Sequence, residues 1–225
     1  MCYFWVFVCQ DFVKVSFRNQ TNSLILLINL VDICSFLIYN YRIMKSTIKM
    51  KTWKAIYRLL GRVSPVDYDC GKLCAAACCT CTDESSDEEL GIYLYPGEDK
   101  IHDKNDSWLD WTTENAEDFE FPDSWSGKVH FVKCKTPPIC PRNKRPFQCR
   151  TFPLAPHLHE DGTLELIYND VELPYTCPLI DDEIPLNDDF VKATYTVWSH
   201  LIRDPLIRDL VEMDSRARDE ELYDL

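Results

Sequence analysis

Hydrophobic and polar positions follow a helical period near the two ends of residues 50–225. Apolar residues three or four positions apart predict a first helix over 51–60: Trp53, Ile56, Tyr57 and Leu60. Two more helices are predicted after Asn187 and after Asp204, because a capping residue precedes each apolar stripe. Pro205 strengthens the second of these, since proline is favoured at the first position of a helix.

Between these helices the pattern is that of short strands. Alternation predicts strands over 91–95, 128–133 and 163–168. The acidic segment 103–125 contains five large aromatic residues without a regular period, and we expect it to pack irregularly over the core. Short strands and helices in this mixture predict an α+β fold for residues 50–186, with a C-terminal helical segment over 187–225.

Residues 1–49 differ in kind from the rest. Their apolar stretch, 24–39, is interrupted by Asn29 and Asp32 and is shorter than the roughly 20 residues that span a bilayer. It is open to three interpretations: a membrane anchor, an additional buried helix, or an extension outside the native protein, with translation starting at Met50. We favour the last, because residues after Met50 have the pattern of an ordinary first helix.

Charge and targeting signals limit the classes of partner. The net charge of -13 argues against general nucleic-acid binding, which needs a basic surface, and we expect no membrane partner unless residues 1–49 are an anchor. The N-terminus has neither the basic region nor the cleavage site of a signal peptide, so we expect a cytoplasmic protein. Cysteines in that compartment are typical of metal or redox chemistry rather than of disulfides.

Nine of the twelve cysteines lie after residue 69, in two blocks and one late position. We predict eight metal ligands among them: Cys70, Cys74, Cys78, Cys79, Cys134, Cys140, Cys149 and Cys177. Zinc and iron–sulfur clusters each take four such ligands, so eight thiolates are enough for two sites or one bridged site. Alanines favour a helical turn within 70–81, and Cys81 is either a further ligand or a spare thiol. His157 and His159 alternate onto one face, but we expect neither to be a ligand.

The second block is rich in positive charge as well as in cysteine. Six basic residues and no acidic residue occupy 133–150. Four thiolates around one divalent ion leave a net negative charge, so we expect Arg145 and Arg150 to lie next to the ligands and compensate it. A solvated basic loop and a binding site for an anionic substrate are the alternatives.

Both cysteine blocks resemble the YkgJ-like cysteine-cluster family, which is described as a zinc- or iron-chelating domain with a CxxCxxCC signature. The resemblance covers about 66–180 and is carried by Cys70, Cys74, Cys78 and Cys79, by Cys140 and Arg145-Pro146, and by Cys149-Arg150-Thr-Phe152-Pro153. The segment 90–98, which ends in Glu98, also matches. Three residues separate Cys70 from Cys74 and Cys74 from Cys78, where the family has two.

These observations favour a metal-binding protein, with zinc or an iron–sulfur cluster as cofactor and a structural or redox-linked role. The resemblance also implies an alternative, a metal-dependent enzyme related to protein lysine N-methylases. Thiol–disulfide exchange is disfavoured, because no isolated C-x-x-C stands at the start of a helix. We expect one metal or cluster to take ligands from both blocks and so to staple the fold together.

Overall fold

The computed structural model describes residues 45–80, 92–136, 139–169 and 175–223, except for the side chains of 79, 80 and 221–223. These residues belong to a compact unit that begins at Lys45. The predictions for the apolar segment 24–39, for Cys81 and for the acidic loop 82–89 lie outside the described residues.

The described part of the chain contains six α-helices. They are α1 (Met50–Leu60), α2 (Ala77–Thr80), α3 (Phe147–Thr151), α4 (Pro178–Asp181), α5 (Asp188–Leu201) and α6 (Pro205–Tyr223). The three helices that the apolar period predicts, α1, α5 and α6, are all confirmed. Within the described residues, none of the helices has the length and apolar character needed to cross a membrane.

The strands form a three-stranded antiparallel sheet and a separate hairpin. The sheet has the order β1 (Ile92–Tyr93), β3 (Lys128–Cys134), β2 (Leu109–Asn115), and the hairpin pairs β4 (Leu154–Leu158) with β5 (Leu164–Tyr168). Strands predicted over 128–133 and 163–168 are confirmed, and the one predicted over 91–95 is shorter. The α+β fold class is therefore correct.

The expectation of irregular packing over 103–125 is wrong for its central part. Residues Leu109–Asn115 form β2, which pairs with the whole length of β3 from Leu109 opposite Cys134 to Asn115 opposite Lys128. Both ends of the segment do pack aromatic side chains, and the rings of Phe121 and Trp125 stack with centroids 4.7 Å apart.

A cluster of aromatic rings holds the helices that surround the second cysteine block. Phe147 of α3 contacts Trp53 of α1, with ring centroids 5.7 Å apart, and Trp198 of α5 at 5.1 Å. All three side chains are fully buried. Because α3 is only five residues long, its position depends on this packing rather than on its own helical stability.

Residues that precede α1 also belong to the fold. The Asp204 side chain is completely buried, and its carboxylate accepts hydrogen bonds from the hydroxyl groups of Ser46 and Thr47, each at 3.0 Å. The same carboxylate caps α6 by accepting from the Ile207 N–H at 3.3 Å. A chain that began at Met50 would lack the hydroxyl donors of residues 46 and 47, so the buried Asp204 carboxylate would accept fewer hydrogen bonds.

We expect the double substitution Ser46→Ala, Thr47→Val to lower the free energy of unfolding by about 1–3 kcal/mol, because it removes two donors from a buried carboxylate. Urea unfolding measures this change. Thr196→Val is a suitable control, since the Thr196 hydroxyl donates to a carbonyl on an exposed helix face and its loss should change stability by less than about 0.5 kcal/mol. Equal effects of the two variants would contradict a structural role for residues 46 and 47.

Candidate metal centre

The first cysteine block forms two short helical turns with a break between them. Cys70–Lys72 is a 3-10 turn, and α2 begins at Ala77. Between them Ala75 and Ala76 have φ angles of +51° and +59°, a left-handed conformation that ends a right-handed helix. The expected helical turns are therefore present, but the block is not a continuous helix that aligns its cysteines along one face.

Cys177 lies beside this first block. Its thiol is buried with Val66 and Leu179, and Cys70 packs against the same cluster. Burial raises the pKa of both thiols, and nearby Cys74 raises each of them further. Three predicted ligands that are as much as 107 positions apart in sequence are therefore neighbours in the fold.

The second block is placed by the sheet. Cys134 is the last residue of β3 and is fixed by pairing with Leu109, while Cys140 packs against the same apolar cluster around Trp108. The Arg145 Nε atom donates a hydrogen bond to the Cys140 Sγ atom at 2.9 Å. This contact puts a permanent positive charge directly on a predicted ligand, as compensation of thiolate charge requires.

One cleft brings cysteines of both blocks together. It has a volume of about 1340 Å³, and five predicted ligands line it: Cys70, Cys78, Cys134, Cys140 and Cys149. Three arginines of the second block, Arg142, Arg145 and Arg150, also line it. Cys74 and Cys177 are not among the lining residues but adjoin Cys70, and Cys79 lies on α2 with a side chain outside the described set.

An ion pair joins the two blocks at the surface. The Arg142 Nη1 atom lies 3.0 Å from the Asp69 Oδ1 atom, and Asp69 immediately precedes Cys70. Both side chains are about half exposed, so the pair stabilises the fold by at most about 1 kcal/mol. Its significance is positional, because it holds the loop that follows Cys140 against the turn that contains Cys70.

Arg150 acts on the second block indirectly. Its Nε atom donates to the Arg145 carbonyl at 2.7 Å, and its guanidinium lies 4.2 Å from the centre of the Tyr57 ring. Burial lowers the pKa of Arg150, and the neighbouring Tyr57 and Glu98 oppose that shift. Whereas Arg145 contacts a sulfur atom, Arg150 holds the backbone from which Arg145 extends.

Glu98 is the residue whose role the sequence did not reveal. Its side chain is 1% exposed, and its carboxylate accepts hydrogen bonds from the Tyr95 N–H at 2.9 Å, the Phe147 N–H at 2.7 Å and the Tyr57 hydroxyl. Tyr95 follows β1, Phe147 is the first residue of α3, and Tyr57 lies on α1. Through these hydrogen bonds Glu98 links α3, which carries Cys149 and Arg150, to α1 and to the turn after β1.

The two candidate histidines lie apart from the cleft. The His157 Nε2 atom is 3.5 Å from an Asp219 oxygen, and the His159 Nε2 atom is 2.8 Å from a Glu165 oxygen. Neither histidine is among the described residues that line the cleft. Each of the two histidines has a carboxylate partner.

As they stand, no three His, Cys, Asp or Glu side chains within the described residues are arranged so that they could hold a metal ion. The side chain of Cys79 and all of Cys81 fall outside that search. In their chemistry the donors fit the predicted cofactors, because soft thiolates with an adjacent guanidinium suit zinc and iron–sulfur clusters.

The resemblance to the YkgJ-like family rests on motifs that the fold places together: the segment ending in Glu98 contacts the segment that begins Arg145-Pro146-Phe147. Comparison with protein-family models, with curated proteins and with solved structures finds no match to this chain.

Proposed function

We propose that this chain is a cytoplasmic cysteine-cluster protein that binds zinc or an iron–sulfur cluster and has a structural or redox-linked role. One observation carries the proposal: five cysteines drawn from both blocks line a single cleft whose wall also contains the arginine bound to Cys140. Buried apolar cysteines would not require a guanidinium in contact with sulfur.

The residues around the cysteines supply what such a centre needs. Four thiolates around a divalent ion leave about two negative charges, which are unfavourable in a partly buried site unless cations lie close by. Arg145 supplies one positive charge at Cys140. Arg142 also lies near Cys70, but its charge is paired with the Asp69 carboxylate. If the bound group is an iron–sulfur cluster, hydrogen bonds to its cysteine sulfurs help set its reduction potential.

Elemental analysis and an absorption spectrum of protein purified without oxygen test this proposal. A brown chromophore with iron and sulfide identifies an iron–sulfur cluster, and a colourless protein with bound zinc identifies a zinc site. Protein that contains no metal after anaerobic purification, and that binds neither zinc nor a reconstituted cluster, would contradict the proposal.

The cleft also favours a second candidate, a metal-dependent enzyme of the kind that the family resemblance implies. Ligand-binding clefts are commonly 300–1,000 Å³, and the volume here is ample for a substrate beside the cysteines. Methyl transfer to lysine-containing proteins, followed by mass spectrometry, tests this candidate. Modification that disappears with the metal would favour the enzyme, and metal binding without any modification would favour the structural or redox role.

We expect Arg145→Met to weaken metal binding by about 10–100-fold, the usual effect of losing a residue that supports a ligand. Competition with a coloured chelator measures the affinity. Arg145→Lys should retain part of it, because the charge remains while the directed contact to Cys140 changes. Arg142→Met is the matched control from the same loop, and since its partner Asp69 is exposed its effect should be smaller. An unchanged affinity in Arg145→Met would show that the arginine does not support the centre.

A further inference from the structure

The exposed face of α1 carries a row of basic residues that the proposed metal centre does not use. We call it the basic stripe and define it by four exposed residues: Lys51, Lys54, Arg58 and Arg62. Steps of about 100° per residue place the three members within the helix on about 60° of arc, opposite the face that α1 buries. These three lie three or four positions apart, which puts neighbouring Cβ atoms about 5–6 Å from each other.

The basic stripe has no acidic partner in the fold. None of its members forms an ion pair within the described part of the chain. Other exposed basic side chains do form such pairs: Lys144 lies 2.8 Å from Asp106, and Arg208 lies 2.7 Å from Glu212. The stretch 45–62 has six basic residues and no acidic residue, although the net charge of the chain is -13. Positive charge is therefore segregated onto this one helix.

The stripe does not help α1 to form. Like charges three or four positions apart on a helix repel each other. Lys51 also lies in the first turn, where the helix macrodipole is positive, and that turn has neither an acidic residue nor a side-chain cap. Only Arg58, in the last turn, is favourably placed with respect to the dipole. Residues that oppose local stability in this way are typical of a surface that serves binding.

Apolar side chains beside the stripe indicate the class of partner. Met50 is 45% exposed and Leu59 is 37% exposed, and the helical period places them on opposite sides of the basic row. Methionine is enriched where proteins contact each other. Nucleic acids without a fixed sequence are commonly held by exposed aromatic rings as well as by charge, and on α1 neither Trp53 nor Tyr57 is exposed. A protein partner therefore fits this surface better than a nucleic acid.

We propose that the basic stripe docks an acidic helix of another protein. Carboxylates three or four positions apart on that helix have the same spacing as the basic residues of α1, so the two rows can face each other. Apolar residues of the partner would contact Met50 and Leu59. Because the charges are exposed, they determine specificity and association rate more than affinity, and binding should be sensitive to salt. Arg62 also lines the cleft that contains the cysteines, so the docked helix would lie beside its mouth.

Fluorescence anisotropy with the full chain and a labelled synthetic peptide tests this proposal. The peptide consists of alanine, leucine and glutamate, with the glutamates three or four positions apart on one helical face. It should bind at low salt, and a scrambled peptide of the same composition should bind several-fold more weakly. The double substitution Lys51→Glu, Arg58→Glu should weaken binding by about tenfold or more, because it replaces attraction with repulsion.

A matched control makes the same change in net charge away from α1. The double substitution Lys192→Glu, Arg208→Glu alters exposed residues of α5 and α6, and it should change peptide affinity by less than about twofold. Far-UV circular dichroism shows whether each variant is folded before its binding is compared. Metal content of the same samples should be unchanged, which keeps this proposal separate from that of the metal centre.

Four results would overturn the acidic-helix assignment. They are absence of peptide binding, equal binding of the scrambled peptide, equal losses in the two double variants, and tighter binding to a different class of partner. The partners compared are single-stranded DNA, phosphatidylserine vesicles, and a second copy of the chain detected by concentration-dependent sedimentation.

Discussion

Replacement of Glu98 by alanine is expected to lower the free energy of unfolding by about 3–5 kcal/mol, a range typical of removing one partner from a buried charged network. The loss would leave the Tyr57 hydroxyl and the backbone N–H groups of Tyr95 and Phe147 without their acceptor. Since these donors lie on three separate elements, α3 would lose one of its attachments to α1, and the contact between the Phe147 and Trp53 rings would remain. Urea unfolding followed by tryptophan fluorescence measures the change.

Two further variants define the cause of that effect. Tyr57→Phe removes only one of the three donors and should cost about 1–3 kcal/mol. Glu212→Ala removes an exposed glutamate that pairs with Arg208, and its effect should stay below about 1 kcal/mol. If Glu98→Ala were no more destabilising than Glu212→Ala, the proposed role of Glu98 in holding α3 would be wrong.

Removal of the proposed metal is the second change for which we expect a large effect. Structural zinc contributes about 10–16 kcal/mol of binding free energy in small domains, which is as large as the whole stability of a typical domain at about 5–15 kcal/mol. The two cysteine blocks are separated by 52 residues between Cys81 and Cys134. Ligands shared between the two blocks would close that long connection. Loss of the metal should therefore destabilise the whole three-stranded sheet.

Near-UV circular dichroism with a chelator present should therefore show cooperative loss of tertiary structure, together with new protease cleavage between residues 82 and 133. The far-UV signal should fall only in part, because α5 and α6 are long, both contact β4, and α5 also contacts α1. Adding metal back should restore both signals. If the metal leaves while the near-UV spectrum and the cleavage pattern stay unchanged, the metal site is peripheral to the fold.

Features set by local periodicity could be predicted from the sequence. The stripe from Trp53 to Leu60 fixes α1, and Asp204-Pro205 fixes the start of α6, since caps and apolar faces act within a few residues. Alternation likewise located β3. In the candidate site, the contact of Arg145 with Cys140 follows the expectation from charge that an arginine would lie next to a cysteine.

Features set by distant partners could not be predicted. Two of the hydrogen-bond donors to Glu98, Tyr57 and Phe147, lie 41 and 49 positions away in the sequence. No local pattern around either residue predicts the contact. Leu109–Asn115 becomes a strand because β3 supplies a partner, although its acidic surroundings hide the alternation. Ala75 favours a helix by propensity but adopts a positive φ, a left-handed conformation that costs an L-residue about 1–2 kcal/mol and that no local pattern predicts.

The most direct test of the central claim is the metal content per chain of Cys70→Ser, Cys140→Ser and the double variant, measured after anaerobic purification. Cys70 belongs to the first block and Cys140 to the second, and both line the same cleft. If the blocks share one metal or cluster, each single variant should lose the same metal, and the double variant should lose no more than either. Cys2→Ser is the control, and its metal content should equal that of the unmodified chain. Losses that add in the double variant, or full metal content in both single variants, would contradict a centre shared between the blocks.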